Sequence, residues 1–424
     1  AVAFRGGSRF GAPLIIAVGV GDTGAAADWR AAGEAAAGRL GTSRRVVLAP
    51  PEDATAEQVL GLLEGLGAAA YRFDRFRTGE AAARPKLERV AVHSGAVRSA
   101  QLAAVDATVA AVHRARDLSN TPANHLTPSD LAAHARGLAE GIEGLKITVI
   151  ERRRLERMGA GALLSVTRGS DQPPAMIVMR YSPASAAGGE LLGLVGKAVT
   201  FDSGGISIKP SGGMEEMKLD MGGGAAVIEG TALVAQLGLP VNLLSVIPAT
   251  ENLINGSATK PGDVVTAMNG TTIEVINTDA EGRLIMADAL TYAAREGATR
   301  LVDFATLTGA IVVALGSVYA GLVGSDEEWT ESVRQAGEDS GDLVWPMPLH
   351  ERYDPLIRSS VADLANAAKK REAGAVYAAQ FLREFTEGRP WCHIDIAGTG
   401  MVDGAGTGAG VRLIRSLAEG LATG

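Results

Sequence analysis

One junction constrains this chain more than any other. A strand-like run, Thr272-Ile-Glu-Val-Ile, gives way within a few residues to a helix-like run, Leu284-Ile-Met-Ala-Asp-Ala-Leu-Thr-Tyr-Ala-Ala. Between them, Asn277-Thr-Asp-Ala-Glu-Gly-Arg sets two carboxylates and a guanidinium on alternate positions: Asp279, Glu281 and Arg283. A charged triplet at a strand's C-terminal end sits where open α/β sheets usually bind ligands. Two acids this close repel each other unless a cation holds them, so a metal site is the first reading.

The same change of period recurs along the chain. Strand-like runs at Lys146–Ile150, Ala175–Tyr181, Leu191–Val195, Val241–Ile247, Leu301–Ala305 and Trp391–Ile396 alternate with helical stretches. Thr127-Pro-Ser-Asp130 is a helix start, with Thr127 as cap, Pro128 in the first turn and Asp130 bonding back. The alternation predicts an α/β fold whose larger C-terminal domain, residues 120–424, is an α/β/α sandwich on a mixed, largely parallel central sheet. Strand-like Pro13–Val20 and Arg45–Leu48 with helical Ala54–Glu64 predict a small N-terminal α/β domain over residues 1–95, and residues 96–119 read as one long linking helix. Ser182–Gly189 reads as a polar loop inside the larger domain.

Aromatic residues are only 4% of the chain, so Ala, Val, Leu and Gly must fill the core. A formal charge of −8 argues against a nucleic-acid partner. The single cysteine, Cys392, excludes an intrachain disulfide and suits a reducing cytoplasm. No secretory signal opens the sequence. Residues 304–325 carry no charge, but their threonines and glycines favour a buried strand, a turn and a core helix over a membrane span.

A second cluster lies upstream. Gly196-Lys-Ala-Val-Thr-Phe-Asp-Ser-Gly-Gly follows a strand candidate, and Lys209 and Asp220 come soon after. The segment offers Lys197, Asp202, Lys209 and Asp220 among glycines that let loops fold tightly. Taken singly, each residue has a plainer role: Asp202 a helix cap, Asp279 and Glu281 a solvated turn, Lys209 a surface lysine, Arg283 a structural ion pair. Asp288 and Asp303 read as structural, and His393 as a core histidine oriented by Asp395 on the same strand face. Gly193-x-x-Gly-Lys197 lacks the spacing of a phosphate loop. Lys369-Lys-Arg371 reads as a basic loop.

Taken together, these segments resemble the leucine aminopeptidase (cytosol aminopeptidase) family. Asn277-Thr-Asp-Ala-Glu-Gly-Arg-Leu284 is similar to its signature, and Gly-Lys-x-x-Thr-Phe-Asp-Ser-Gly-Gly to its first metal segment. Thr306-Leu-Thr-Gly309 and Ala115-Arg-Asp-Leu-Ser-Asn-Thr-Pro-Ala-Asn124 agree, so the resemblance runs from about residue 99 to the C-terminus. Ala198 departs from it, standing where glycine is usual.

The resemblance implies a hydrolase that removes N-terminal amino acids, leucine and other apolar residues first, by metal-activated water. It implies one ion on Asp202, Asp279 and Glu281 and another on Lys197, Asp202, Asp220 and Glu281. Four carboxylates exceed what one divalent ion neutralises, which also asks for two. None of the six histidines falls in this set. Such hard ligands suit manganese, cobalt or magnesium as well as zinc. Lys197 would ligate as a neutral amine, far from its usual protonation near 10.4. The family pattern makes Lys209 the oxyanion stabiliser and Arg283 the holder of a bicarbonate ion, with backbone N–H groups near Gly282 and Leu307. Met217, Thr306, Gly309 and Ala397 match the pocket for the first side chain. A homohexamer in the cytoplasm acting on peptides with a free N-terminus is also implied. Alternatives that the residues leave open are a cysteinylglycine dipeptidase and a DNA-binding regulator on the same fold.

Overall fold

The computed structural model describes residues 1–6, 12, 14–21, 25–82, 85–186, 188–370 and 372–423. Pro13, Ala187 and Arg371, which belong to the first strand, the polar loop and the basic run read above, lie outside them. The chain divides into two compact units, Ala1–His113 and Arg114–Gly424, and the division falls inside the helix Ser99–Asn120.

In the first unit, strand Val2–Arg5 pairs antiparallel with Leu14–Ala17, and Arg45–Leu48 pairs parallel with Arg89–Val92. Helix Ala56–Ala69 begins at Thr55, whose side chain accepts from the Gln58 N–H while Gln58 bonds back, a capping box that satisfies two orphan donors. Trp29, Val59, Leu62, Leu63 and Val105 form a small core of their own.

The second unit is built on a nine-stranded mixed sheet. Its order is Val344–Pro346, Ala320–Gly324, Trp391–Asp395, Arg300–Ala305, Leu192–Gly196, Leu243–Asn252, Ala175–Tyr181 and Leu145–Glu151, with Ala198–Asp202 also paired to Leu243–Asn252. The four middle strands from Trp391–Asp395 to Leu243–Asn252 run parallel, and antiparallel pairings flank them. Every residue of Leu243–Asn252 is buried, as a central strand covered on both faces requires. Alternation divides that strand between two layers. Leu244 and Val246 pack in the core shared with helix Glu281–Arg295, while Ser245 bonds Thr231 of helix Gly222–Gln236. The expected α/β/α sandwich is therefore present.

Two expectations are corrected. Strand Thr272–Glu274 joins a separate three-stranded sheet with Val264–Thr266 and Leu364–Ala365, not the central one. The uncharged stretch takes in the end of strand Arg300–Ala305, then helix Gly309–Leu315 and strand Ala320–Gly324. The helix is no core helix: only Ile311 is buried, and Val313 is 90% exposed. Among the described residues, no helix is long and apolar enough to cross a membrane. Ala198 is fully buried beside Gly224, where a Cβ would come within 2.6 Å of the Ala198 Cβ, so the small partner is what admits a methyl at 198.

Candidate metal centre

The parallel strands deliver the first residues. Lys197 follows Leu192–Gly196 and is pinned by its N–H to the Phe304 carbonyl at 3.0 Å. Asp202 ends Ala198–Asp202, and the chain then reverses through Gly204 and Gly205 at φ +87° and +66°. A Cβ on Gly204 would lie 2.8 Å from Asp279 Oδ1, so both backbone angle and space demand glycine there. The reversal lets the Lys209 N–H reach the Ser203 carbonyl at 3.0 Å, which returns Lys209 to the site. A short 3-10 turn, Met214–Leu219, presents Met217 and ends at Asp220. Asp279 lies in the turn before helix Glu281–Arg295, whose first turn holds Glu281, Gly282 and Arg283.

These side chains converge. Lys197 Nζ lies 2.7 Å from Asp220 Oδ1 and 2.9 Å from Glu281 Oε1, and donates to the Thr306 carbonyl at 2.9 Å. Lys209 Nζ lies 2.7 Å from Asp202 Oδ2 and also pairs with Asp279 Oδ1. Oxygens of Asp202, Asp279 and Glu281 all fall within 4.8 Å of one another. The cluster lines a cavity of about 270 Å³ together with Met217, Gly282, Arg283, Thr306, Leu307, Gly309 and Ala397. Every residue that the family resemblance implies for the site thus borders one space.

Its electrostatics are those of an acid-rich, buried site. Burial and the nearby Glu281 push Asp202 up to about 6, against the pull of Lys209 and Lys197. Burial likewise raises Asp220 well above the usual carboxylate range, and raises Asp279. Burial works against Glu281 too, but Lys197 and Lys209 outweigh it and hold that carboxyl low. Burial disfavours the Lys197 ammonium, yet Asp220, Glu281 and Asp202 outweigh it and raise the amine above its ordinary value. Two ammonium groups face four carboxylates, and the buried Asp220 Oδ2 and Glu281 Oε2 have no hydrogen-bond partner among the described residues. This surplus of hard, uncommitted oxygen donors fits divalent cations.

Other residues hold the cluster in place, and several carried no signal in the sequence. Asn252 Nδ2 donates to Asp202 Oδ1 at 2.8 Å and to the Thr278 carbonyl at 3.0 Å, joining the two acidic segments. Its one local hint is that a polar pair, Glu251-Asn252, closes a long apolar strand. Asn366 accepts from the Ile276 N–H at 2.8 Å and donates to the Asn277 carbonyl at 2.6 Å, from a loop distant in sequence. Thr306, expected only as pocket wall, also donates its hydroxyl to Asp220 Oδ1 at 2.7 Å. Glu216, Leu219, Val312 and Met401 complete the lining.

Arg283 and Leu307, which the resemblance places around an anion, already have partners within the chain. The buried Arg283 donates Nη1 to the Asn366 carbonyl at 2.8 Å, lies 5.1 Å over the Tyr377 ring, and leaves Nε without a hydrogen-bond partner among the described residues. The Leu307 N–H, however, is given to Asp395 Oδ1 at 3.1 Å. Asp395 also takes the Thr308 hydroxyl at 2.6 Å, so it braces this loop and does not orient His393. That role falls to Asp303, directly opposite His393 in the parallel register and 2.6 Å from its Nδ1. Burial lowers the imidazole, but Asp303 outweighs it and keeps it above its usual value. His393 is a core residue, as expected. Asp288 is also structural, accepting from the Leu163 and Met268 N–H groups.

Residues 113–415 match the catalytic domain of the cytosol aminopeptidase family, and residues 1–80 match that family's N-terminal domain. A probable cytosol aminopeptidase of Chlorobaculum tepidum is 42% identical, over 99% of this chain and 89% of its own. One from Alkaliphilus oremlandii is 44% identical, over 84% of this chain and 74% of its own. Among solved structures, the bottromycin maturation enzyme BotP in complex with Mn superposes with a TM-score of 0.91 at 36% identity, covering 99% of this chain and 93% of that one.

Proposed function

The chain belongs to the cytosol aminopeptidase family and is a metal-dependent aminopeptidase, and from that premise we propose a leucyl-preferring enzyme that uses two divalent ions. The observation that carries the reading is the set of four carboxylates and two lysines, all buried but the half-buried Asp279 and Lys209, opening onto one cavity. We assign residues 120–424 as the catalytic domain, after an N-terminal domain at 1–95 and a linking helix at 96–119. Asp202, Asp279 and Glu281 would hold one ion, and Lys197, Asp202, Asp220 and Glu281 the other. Bound there, divalent ions make water nucleophilic at neutral pH and polarise a peptide carbonyl.

The chain's own residues do the rest. Lys209 keeps a positive charge at the cavity wall, suited to stabilise the negative charge that builds on the carbonyl oxygen during attack. Lys197 must surrender its proton to serve as a ligand, and it is held for that by Asp220, Glu281 and the Thr306 carbonyl. Arg283 Nε, which has no hydrogen-bond partner among the described residues, is the nitrogen with which to bind a small anion such as bicarbonate. Gly282 and Leu307 would border that anion, and the Leu307 N–H would have to leave Asp395 to join it. Met217, Thr306, Gly309 and Ala397 form a largely apolar wall for the first side chain. Such walls discriminate by only about 1–3 kcal/mol per methylene, so specificity should be broad.

Manganese is the first metal to test, since BotP is described in complex with Mn; zinc, cobalt and magnesium follow. A cytoplasmic homohexamer is carried over from the family resemblance. Val313, exposed next in the chain to the cavity-lining Val312, is in keeping with a surface that another subunit covers.

The test is hydrolysis of leucine p-nitroanilide by chelator-stripped protein, with each metal added back. N-acetyl-leucine p-nitroanilide is the matched control. Metal-restored cleavage of the free-amine substrate alone is expected. Cleavage of cysteinylglycine but not of leucine p-nitroanilide would replace the leucyl reading by the dipeptidase one.

A further inference from the structure

The cavity contains a fifth carboxylate. Glu216 lines it beside Met217, yet belongs to neither acid–lysine group. Asp202, Asp220, Asp279 and Glu281 each lie on Lys197 or Lys209, whereas no hydrogen bond or ion pair ties the Glu216 carboxylate to any described residue. Its position is fixed by backbone. Glu216 sits in the 3-10 turn Met214–Leu219, with its N–H on the Gly213 carbonyl at 3.1 Å. Its carboxylate rests against Gly404, where a Cβ would come within 3.0 Å of Oε1. Gly404 turns the hairpin of Met401–Val402 and Ala405–Gly406, and Met401 also lines the cavity. The half-buried acid therefore borders the same space as two methionines, Met217 and Met401.

With leucine as the first side chain, an unpaired carboxylate on the wall beside it would lose water with no return. A substrate cation offers the missing partner. We infer that Glu216 is a specificity determinant that gives this site a second substrate class, peptides carrying a lysine or arginine side chain near the free N-terminus, alongside apolar ones. The long methylene stem of such a side chain suits Met217 and Met401, and its charged head suits Glu216. This rests on the aminopeptidase reading above and extends it.

The experiment uses the full chain loaded with manganese and compares kcat/KM for lysine p-nitroanilide against leucine p-nitroanilide, and for Leu-Lys against Leu-Leu. The first ratio reads a cation on the first residue and the second ratio a cation on the second. In Glu216→Gln, one of the two ratios should fall about fivefold, the weight of one partly screened ion pair. In the unmodified protein the same ratio should shrink as salt rises from low to 0.5 M, because the pairing is electrostatic. That second measurement stands even where the variant fails to fold. Both ratios unchanged in Glu216→Gln, or insensitive to salt in the unmodified protein, would overturn the inference while leaucine cleavage stands. Failure to cleave any of the four substrates would instead overturn the aminopeptidase reading and the inference with it.

Discussion

Lys197 occupies the space that a side chain at position 282 would need. A Cβ on Gly282 would lie 2.6 Å from Lys197 Cε and 2.8 Å from its Nζ. Gly282→Ala should therefore push the amine away from Asp220 and Glu281. Metal content measured by elemental analysis, and leucine p-nitroanilide hydrolysis, should fall about tenfold or more while circular dichroism stays unchanged. Retention of full metal would mean that the lysine stem swings aside without cost. Asn252→Ala tests the link between the two acidic segments. It removes the bonds to Asp202 and to the Thr278 carbonyl, and metal affinity by titration should weaken about 10–100-fold; unchanged affinity would make Asn252 a bystander. The contrast between these residues explains what could be read in advance. Lys197, Asp202, Asp279 and Glu281 sit in compact local patterns, so their association was legible. Asn252 and Asn366 act through contacts that only the folded sheet and a distant loop create.

Helix Glu281–Arg295 is the element that joins the site to the core, and Asp288 is its hidden anchor. The carboxyl receives the Leu163 N–H at 2.8 Å and the Met268 N–H at 2.7 Å. Burial still pushes it up to about 7, against those backbone donors. The unfolded carboxyl titrates near 3.8, so the native state binds the proton more tightly. Its stabilising share is complete below the unfolded value and is lost as pH rises through about 7. Urea midpoints of chelated protein at pH 5 and pH 8 should show this loss, and Asp288→Asn should flatten it. Equal slopes in both proteins would sink the assignment. Element type was readable wherever periodicity was strong, as in the strand Ala175–Tyr181, which matches residue for residue. The short strand Thr272–Glu274 was visible as a strand, but not its sheet, because pairing is a long-range choice. In the uncharged stretch, apolar composition alone could not tell the exposed helix Gly309–Leu315 from a buried one.

Across the catalytic unit, a buried acid far from the cavity ties separate helices together. Glu229, fully buried in helix Gly222–Gln236, lies 2.7 Å from Arg114 Nε and 2.5 Å from His134 Nε2. Arg114 and His134 are partly exposed, so they can recover water if the acid is lost, whereas the acid cannot. Arg114→Met should therefore cost about 3 kcal/mol in urea unfolding, and Glu229→Gln clearly less. Equal costs would mean that packing, not charge, carries the contact. The unit's general architecture followed from alternating periods, while ties of this kind, between residues so far apart in the chain, left no trace in either local pattern.

The proposed donors begin at Lys197 and end at Glu281, and the strand that presents the first of them lies between Leu243–Asn252 and Arg300–Ala305. Lys197 is itself pinned to Phe304. A chain still emerging from the ribosome thus carries its acids on separate, unpaired stretches, with no enclosure to dehydrate an ion. The enclosure that would strip water from an ion is thus a product of sheet assembly, and completing the proposed site waits on strands that the chain supplies more than a hundred residues apart.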